Sequence, residues 1–176
     1  MSGELLVTFN AGSSTVKLGV FAVGEGAPRR IGKGVLDLRR APLTFHLVEG
    51  PAVTDVALKA AASGDLQAVL DEVLGWLGGH FELGKLAGAC HRVVHGGDRF
   101  GGAVVVDGES LAAMEGLVAL APLHQPQSLR LIRAIGALRP GLAQTVSFDT
   151  AFHRTQAEVV RRFALPRRFH AAGPRR

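Results

Sequence analysis

The sequence predicts an α/β domain built on a mixed β-sheet with flanking helices. Short apolar runs separated by turn residues open the chain, and a later segment has the apolar spacing of an amphipathic helix. Strand-like and helix-like segments alternate from there onwards, which is typical of α/β proteins. The chain has 176 residues, of which 47% are hydrophobic, enough for one domain with its own core.

The first part of the chain is predicted to form a meander of strands. The apolar runs Leu5–Phe9 and Leu18–Phe21 flank a turn rich in Asn, Gly and Ser. Gly32–Leu38 and Leu43–Val48 follow as two further short strands, with residues 39–42 as the turn between them.

An amphipathic helix is expected next. Its apolar residues fall at helical spacing, and they are Leu66, Val69, Leu70, Val73, Leu74 and Leu77. Gly78 and Gly79 predict the end of this helix. The apolar stripe should therefore face the core.

Strands and helices alternate in the remainder. The expected elements are, in order, the strand Ala87–Val94, the short strand Ala103–Val106, the helices Ser110–Leu120 and Ser128–Leu138, and the strand Thr145–Phe148. Pro122 and Pro126 make one continuous helix unfavourable between residues 110 and 138.

Charge and cysteine content limit the classes of function. The net charge is +5, but six of the 20 basic residues lie in the last 16, which leaves 14 basic against 15 acidic residues before them. This distribution argues against a nucleic-acid-binding face, and no apolar run is long enough to span a membrane. The single cysteine, Cys90, lies in an apolar run and is expected to be buried in a protein of the reducing cytoplasm.

The segment Asn10–Lys17 is the most informative motif. It brings backbone N–H groups, three hydroxyl groups and the Lys17 ammonium to one strand end, which suits the oxygens of a phosphate. The same residue types also form ordinary turns that bind nothing. Composition alone leaves both interpretations open.

An arginine inside an apolar strand provides the second motif. Alternation predicts that His91, Val93 and His95 face one side, with Arg92 and Val94 on the other. A guanidinium here needs an anion, which is either a structural carboxylate or a ligand. The two histidines lack further residues at metal-ligand spacing, so a metal site is not favoured.

Two further polar residues occupy positions suited to chemistry. His124 lies in a loop restrained by Pro122 and Pro126, which would position its imidazole at low entropic cost. Asp149 directly follows a strand, where ligands bind in open α/β sheets. Its alternative role is to cap a helix that starts near residues 153–156.

Four segments together resemble the acetate kinase family. The similar segments are Asn10–Lys17, residues 91–97 (HRVVHGG), residues 121–124 (APLH) and residues 148–153 (FDTAFH). The resemblance implies a ribonuclease H-like, actin-like ATPase fold and transfer of a phosphoryl group from ATP to acetate, giving acetyl phosphate and ADP. It also implies Mg²⁺, or Mn²⁺, as the metal ion.

The resemblance assigns a role to each matching residue. Asn10, Thr15 and Lys17 would lie near the nucleotide phosphates, and Asn10 and Asp149 near the metal ion. Arg92 would bind the carboxylate or the transferring phosphoryl group, His124 would stabilise the transition state, and Asp149 would hold the metal or orient acetate. Val94 and Leu123 would form walls of the apolar pocket for the methyl group.

The chain departs from the family pattern in sequence and in length. Thr15 and Gln125 stand where the family usually has serine and asparagine. Family members are about twice this long, so we expect residues 1–150 to form the N-terminal domain and 151–176 a truncated connection with an arginine-rich tail. The C-terminal nucleotide lobe would be absent, and His170 cannot be assigned the role of a family histidine.

These expectations lead to three hypotheses. The chain is a kinase by family but has negligible activity in isolation; it is a non-catalytic fragment that pairs with a separate second half; or it represents a kinase for propionate or butyrate. A family-like homodimer is left open for the fragment.

Overall fold

An eight-stranded sheet is the centre of the computed structural model, which describes residues 3–60 and 65–171 apart from the side chain of His170. The strands are β1 (Glu4–Ala11), β2 (Thr15–Val23), β3 (Arg29–Asp37), β4 (Thr44–Glu49), β5 (Ala52–Ala57), β6 (Leu86–Val93), β7 (Val104–Val105) and β8 (Ala143–Phe148). The helices are α1 (Leu66–Gly78), α2 (Gly108–Gly116), α3 (Gln125–Leu138), α4 (Glu158–Arg161) and α5 (Arg167–Ala171). Short 3₁₀ segments cover Leu83–Lys85, Val118–Leu120 and Asp149–Thr155.

The sheet is mixed, as the sequence predicts. Its strand order is β5-β4-β3-β2-β1-β6-β8-β7. Strands β1 to β5 form an antiparallel meander, whereas β6 runs parallel to both β1 and β8. The parallel strands β1, β6 and β8 therefore end at the same edge of the sheet.

Helices α1, α2 and α3 pack against one face of the sheet. The predicted stripe of α1 is buried against alternate residues of β1, such as Val7 and Phe9, within one apolar cluster. A second cluster joins α2 and α3 to the ends of β6 and β8, where Val93 and Phe148 are buried. In the described part of the chain, no long helix covers the opposite face, which we call the open face.

Strand β5 is a sheet element that the sequence analysis missed, and the short helices α4 and α5 were not predicted either. Strand β5 pairs with β4 across a tight turn at Gly50, whose φ of 56° is one that glycine adopts without strain. Its side chains are exposed or half-buried because it is the edge strand. It therefore lacks the alternation of buried apolar and exposed polar residues by which a strand is predicted. Burial, and not propensity alone, produces the pattern on which strand prediction depends.

The predicted helix boundaries were wrong at three places. Helix α2 begins at Gly108, two residues before the predicted Ser110. Helix α2 ends at Gly116, and a 3₁₀ turn continues to Leu120. Helix α3 begins at Gln125, three residues before the predicted Ser128. Pro126 is tolerated there because it lies in the first turn, where backbone N–H groups make no hydrogen bond within the helix.

Cys90 is half-buried on the open face, so the expectation of a buried thiol was wrong. The alternation of β6 places its neighbours Ala89 and His91 in the core and turns Cys90 away from it. None of the described helices is both long and apolar enough to cross a membrane. Of the arginine-rich ending, Arg175 and Arg176 lie outside the described residues.

Candidate functional site

One row of polar side chains crosses four strands near the edge where β1, β6 and β8 end. Strand register pairs Asn10 with Lys17 of β2 and with Arg92 of β6, and Arg92 with Ser147 of β8. Paired residues of neighbouring strands share a face, so these four residues all lie on the open face. Sheet pairing thus brings together residues that are up to 137 positions apart in the sequence.

Arg92 forms a fork-to-fork ion pair with Asp149. Its Nε donates to Oδ1 of Asp149 at 2.9 Å, and its Nη2 donates to Oδ2 of the same carboxylate. Nη1 donates to Oδ1 of Asn10 at 3.4 Å. Such a bidentate pair fixes the plane of the guanidinium as well as its position.

The ion pair shows which anion of the chain itself Arg92 meets. The anion that Arg92 meets within the chain is the Asp149 carboxylate, whose side chain has an exposure of 43% against 41% for Arg92. Asp149 does not cap a helix, because Phe148 occupies the N-cap position of the following 3₁₀ segment. Because both side chains remain accessible, the pair can also meet an anion from solution.

The opening hairpin is tighter than the sequence predicts. Its turn contains only residues 12–14, so Asn10, Thr15 and Lys17 lie on strands. The N–H of Gly12 donates to the carbonyl of Thr15 at 2.7 Å, so this amide is not available to a phosphate. Phosphate binding by the turn would therefore depend on side chains more than on the backbone of Gly12.

A cleft of about 360 Å³ lies beside this row on the open face. Among its lining residues are Lys17, Arg30, Lys33 and Arg92, and none of the acidic residues that the structure describes lines it. Asp149 lies outside the lining and neutralises only Arg92. The cleft therefore carries an excess of positive charge and favours anions.

His124 and Leu123 lie outside the cleft. His124 is the exposed N-cap residue of α3, and its imidazole makes no hydrogen bond to any residue in the described ranges. Leu123 is 78% exposed, and Val94 is half-buried just beyond the end of β6. The structure thus joins Asn10, Arg92 and Asp149, and it leaves His124 on a neighbouring loop.

Two histidines of the arginine segment have pKa values below the ordinary range. Burial lowers the pKa of His91 to about 4, and its Nε2 lies 2.8 Å from the side-chain amide of Gln144. Burial also lowers the pKa of His95, whose Nδ1 accepts from the N–H of Gly97 at 2.9 Å. His95 follows the end of β6, so the predicted alternation of faces does not extend to it.

The site fits an anion better than a metal ion. Both oxygens of Asp149 already accept from Arg92, and a cation bound there would lie beside the guanidinium charge. Within the described ranges, no three His, Cys, Asp or Glu residues are placed to hold a metal ion together. Asn10 and Asp149 as ligands of a metal ion stay a prediction, because Mg²⁺ is usually held by one or two carboxylates together with substrate phosphates.

The sequence analysis did not identify the contacts made by two residues beside its candidates. Gln125 follows His124 and is fully buried, and Thr150 follows Asp149. Both bind the backbone just after β6. A glutamine at a loop-to-helix junction and a threonine after a strand are too common for a pattern to have identified them.

Comparisons with known proteins agree on one family. A family model described as the acetokinase family matches residues 5–176. Acetate kinase of Nitrobacter hamburgensis is 40% identical over 176 residues, an alignment that covers 98% of this chain and 43% of the relative. The chain therefore spans less than half the length of that relative.

Solved structures show the same partial correspondence. The crystal structure of Porphyromonas gingivalis acetate kinase superposes with a TM-score of 0.84 at 29% identity, and that of a propionate kinase from Francisella tularensis subsp. tularensis SCHU S4 with 0.83 at 27%. Each superposition covers 98% of this chain and 44% of the known structure.

Proposed function

We infer that this chain, which belongs to the acetokinase family, supplies the acceptor side of a carboxylate kinase. In the complete enzyme, a phosphoryl group would pass from ATP to the carboxylate of acetate, giving acetyl phosphate and ADP. The observation that carries the proposal is the accessible, oriented guanidinium of Arg92 between Asp149 and Asn10.

The chemistry needs what this arrangement offers. Phosphoryl transfer depends on alignment of the reactants and on neutralisation of charge more than on a covalent nucleophile. Arg92 would bind the acceptor carboxylate or the transferring phosphoryl group through the edge that Asp149 leaves accessible. Lys17, opposite Asn10 on β2, places a second cation on the same face.

Asp149 acts in this proposal as a positioning residue for Arg92. Its carboxylate fixes the guanidinium plane, so that the remaining N–H groups point away from the pair. Asn10 accepts from Nη1 through Oδ1, which leaves its amide nitrogen as a donor for an anion oxygen. Mg²⁺ or Mn²⁺ with ATP stays a prediction from the family, as does a cytoplasmic location.

His124, Leu123, Val94 and Thr15 keep their predicted roles within the proposal. His124 would donate to the transferring group once acceptor and donor are bound. Leu123 is largely exposed, so the pocket for the methyl group is not closed by the described residues. Acetate therefore remains the proposed acid, with propionate or butyrate as the alternative that pocket volume would decide.

Titration with acetate and with inorganic phosphate tests the proposal. We expect saturable changes in the NMR signals of Asn10, Arg92 and Asp149 in the unaltered chain, and their loss in Arg92→Ala. Arg133→Ala is the matched control, because it removes another half-exposed arginine paired with a carboxylate, Glu115, away from the cleft. Absence of saturable binding, or equal loss in both variants, would contradict the proposal.

The isolated chain should itself be inactive as a kinase. We expect no magnesium-dependent acetyl phosphate formation near ordinary enzyme rates, roughly 1 per second or more. A purified sample with such a rate would show that the chain does not need further sequence for catalysis.

A role as a non-catalytic fragment that pairs with a second half is the alternative. Apolar side chains exposed after β8 favour it, namely Phe152, Val159, Val160, Phe163, Leu165 and Phe169. Clustered apolar residues at a surface are typical of an interface. A homodimer would cover the same residues.

A further inference from the structure

The backbone of residues 94–97, which we call the junction, connects the three loops of the candidate site. It leaves β6 two residues after Arg92 and turns at Gly97, where φ is 58°. Gly96 lies against Phe148 so closely that a Cβ atom would approach its ring to 2.9 Å. The junction therefore lies directly beside the end of β8, from which Asp149 projects.

Gln125 binds the junction from the His124 loop. Its Nε2 donates to the carbonyl of His95 at 3.1 Å, and its Oε1 accepts from the N–H of the same residue at 3.4 Å. The same Nε2 also donates to the carbonyl of Met114 at 3.4 Å. The side chain is fully buried, so loss of these bonds would leave polar groups without water.

Thr150 binds the junction from the Asp149 side. Its backbone N–H donates to the carbonyl of Val94 at 3.2 Å, and its Oγ1 accepts from the N–H of Gly96 at 2.9 Å. Thr150 therefore contacts the residues on both sides of His95, to which Gln125 is bonded.

We propose that Gln125 and Thr150 are positioning residues that hold His124 and Asp149 in register with Arg92. Each immediately follows one of those two residues, so a fixed side chain at 125 or 150 restrains the preceding residue. The positions of the three site residues then depend on one shared piece of backbone. That these relative positions matter for phosphoryl transfer rests on the proposed function. The restraint of His124 and Asp149 by the junction does not depend on that function.

The proposal explains why direct contact between His124 and Arg92 is not needed for their alignment. Misplacement of a catalytic group by about 1 Å can cost a hundredfold in rate. A buried amide that bonds both backbone groups of His95 restricts such displacement more than a single surface contact would.

Thr150→Val tests the proposal, because it keeps the shape of the side chain and removes the hydroxyl. Thr150→Ser restores the hydroxyl, and Thr145→Val is the matched control, since Thr145 is a half-buried threonine of β8 without a hydrogen-bonded side chain in the described structure. The readouts are the hydrogen exchange of the Gly96 amide, the NMR signal of Arg92 Nε–H, and the acetate affinity.

We expect Thr150→Val to speed exchange at Gly96 by about tenfold and to weaken acetate binding by about three- to tenfold. The Arg92 Nε–H signal should shift or broaden, because the Asp149 carboxylate would lose its fixed position. Thr150→Ser and Thr145→Val should behave as the unaltered chain does.

Faster exchange at Gly96 with an unchanged Arg92 signal would overturn the proposal, since Thr150 would then stabilise only the junction. If the unaltered chain binds no acetate, the proposed function fails, but the Arg92 signal still decides the positioning role. Gln125→Glu provides a second test, because it keeps the length and removes the donor to His95 and Met114, and a shift of the NMR signals of His124 is expected. Unchanged His124 signals in folded Gln125→Glu would exclude a positioning role for Gln125.

Discussion

Arg92 shows how a single residue can be both satisfied within the fold and available to a ligand. Its pair with Asp149 removes the cost of a guanidinium without a partner, yet the accessible fraction of both side chains leaves one edge facing the cleft. Surface ion pairs contribute little to stability by themselves. The role of Asp149 is therefore better sought in the orientation of Arg92 than in the stability of the fold.

His91 has a different role from that of its neighbour Arg92, because its side chain faces the core. It is 3% exposed, and its ring stacks on Phe9 with a centroid distance of 5.4 Å. Burial lowers its pKa from 6.5 to about 4. The folded protein thus keeps His91 neutral at a pH at which the unfolded chain binds a proton.

The free energy of unfolding should fall as the pH is lowered from 7 to 5. The unfolded state takes up the proton below pH 6.5, while the folded state does so only near pH 4, so stability is lost within this window. His91 should account for about 2 kcal/mol between pH 7 and pH 5. Urea unfolding of His91→Gln at both pH values should lack this contribution.

His80→Gln, which removes an exposed histidine, is the control for this measurement and should retain the pH dependence. An identical slope in His91→Gln and the unaltered chain would show that His91 does not titrate as its burial requires.

At the level of elements, the sequence predicted the helices and strands whose buried side chains recur at a regular spacing. The stripe of α1 and the buried strands β1, β2, β6 and β8 have apolar patterns that arise from packing against one core. The edge strand β5 has no such face. Helix α3 starts before Pro126 because a proline fits in the first turn of a helix. The rule that proline interrupts helices does not predict this starting point.

For the candidate site, the sequence likewise predicted some residues but not the contacts between them. Residue chemistry identified Arg92 and Asp149, but their bidentate pairing depends on the register of β1, β6 and β8, which local sequence does not encode. The hydrogen bonds of Gln125 to the junction depend on tertiary contacts of the same kind. The type of a side chain therefore indicates what kind of group it will bind, but not which residue of the chain supplies that group.

The junction should be sensitive to a small increase in volume. Gly96→Ala would place a methyl group 2.9 Å from the Phe148 ring and 3.1 Å from Cβ of Phe100. We expect a loss of about 1–3 kcal/mol in the free energy of unfolding, measured with urea. Gly75→Ala in α1 meets no atom within 4 Å and should instead stabilise the protein by roughly 0.5–1 kcal/mol.

A Gly96→Ala variant as stable as the unaltered chain would mean that the contact between junction and β8 is looser than the structure shows.

At the level of the whole molecule, the helices among residues 3–60 and 65–171 cover one face of the sheet and leave the other open. Helices α1, α2 and α3 bury the first face, whereas the open face holds the positively charged cleft. The segment after β8 adds apolar side chains such as Phe152 and Val159, which are 72% and 73% exposed. A chain that spans less than half of its relatives presents surfaces that the rest of such an enzyme could contact.

The isolated chain should associate with itself as its concentration rises. Exposed apolar side chains after β8 provide the contact, so Phe152→Ser with Val159→Ser should weaken the association seen in sedimentation velocity. Val53→Ser with Val105→Ser changes two comparably exposed apolar residues elsewhere and serves as the control. A clean monomer at all concentrations would contradict an interface at this segment.

Acetyl phosphate formation by a joined protein tests the acceptor-side assignment most directly. Residues 1–171 would be fused to the part of Nitrobacter hamburgensis acetate kinase that follows its aligned region, with Arg92→Ala and Arg133→Ala prepared in the same fusion. We predict magnesium-dependent activity in the fusion and in Arg133→Ala, with a loss of about a hundredfold or more in Arg92→Ala. Equal activity of the Arg92→Ala fusion and the unaltered fusion would contradict the assignment.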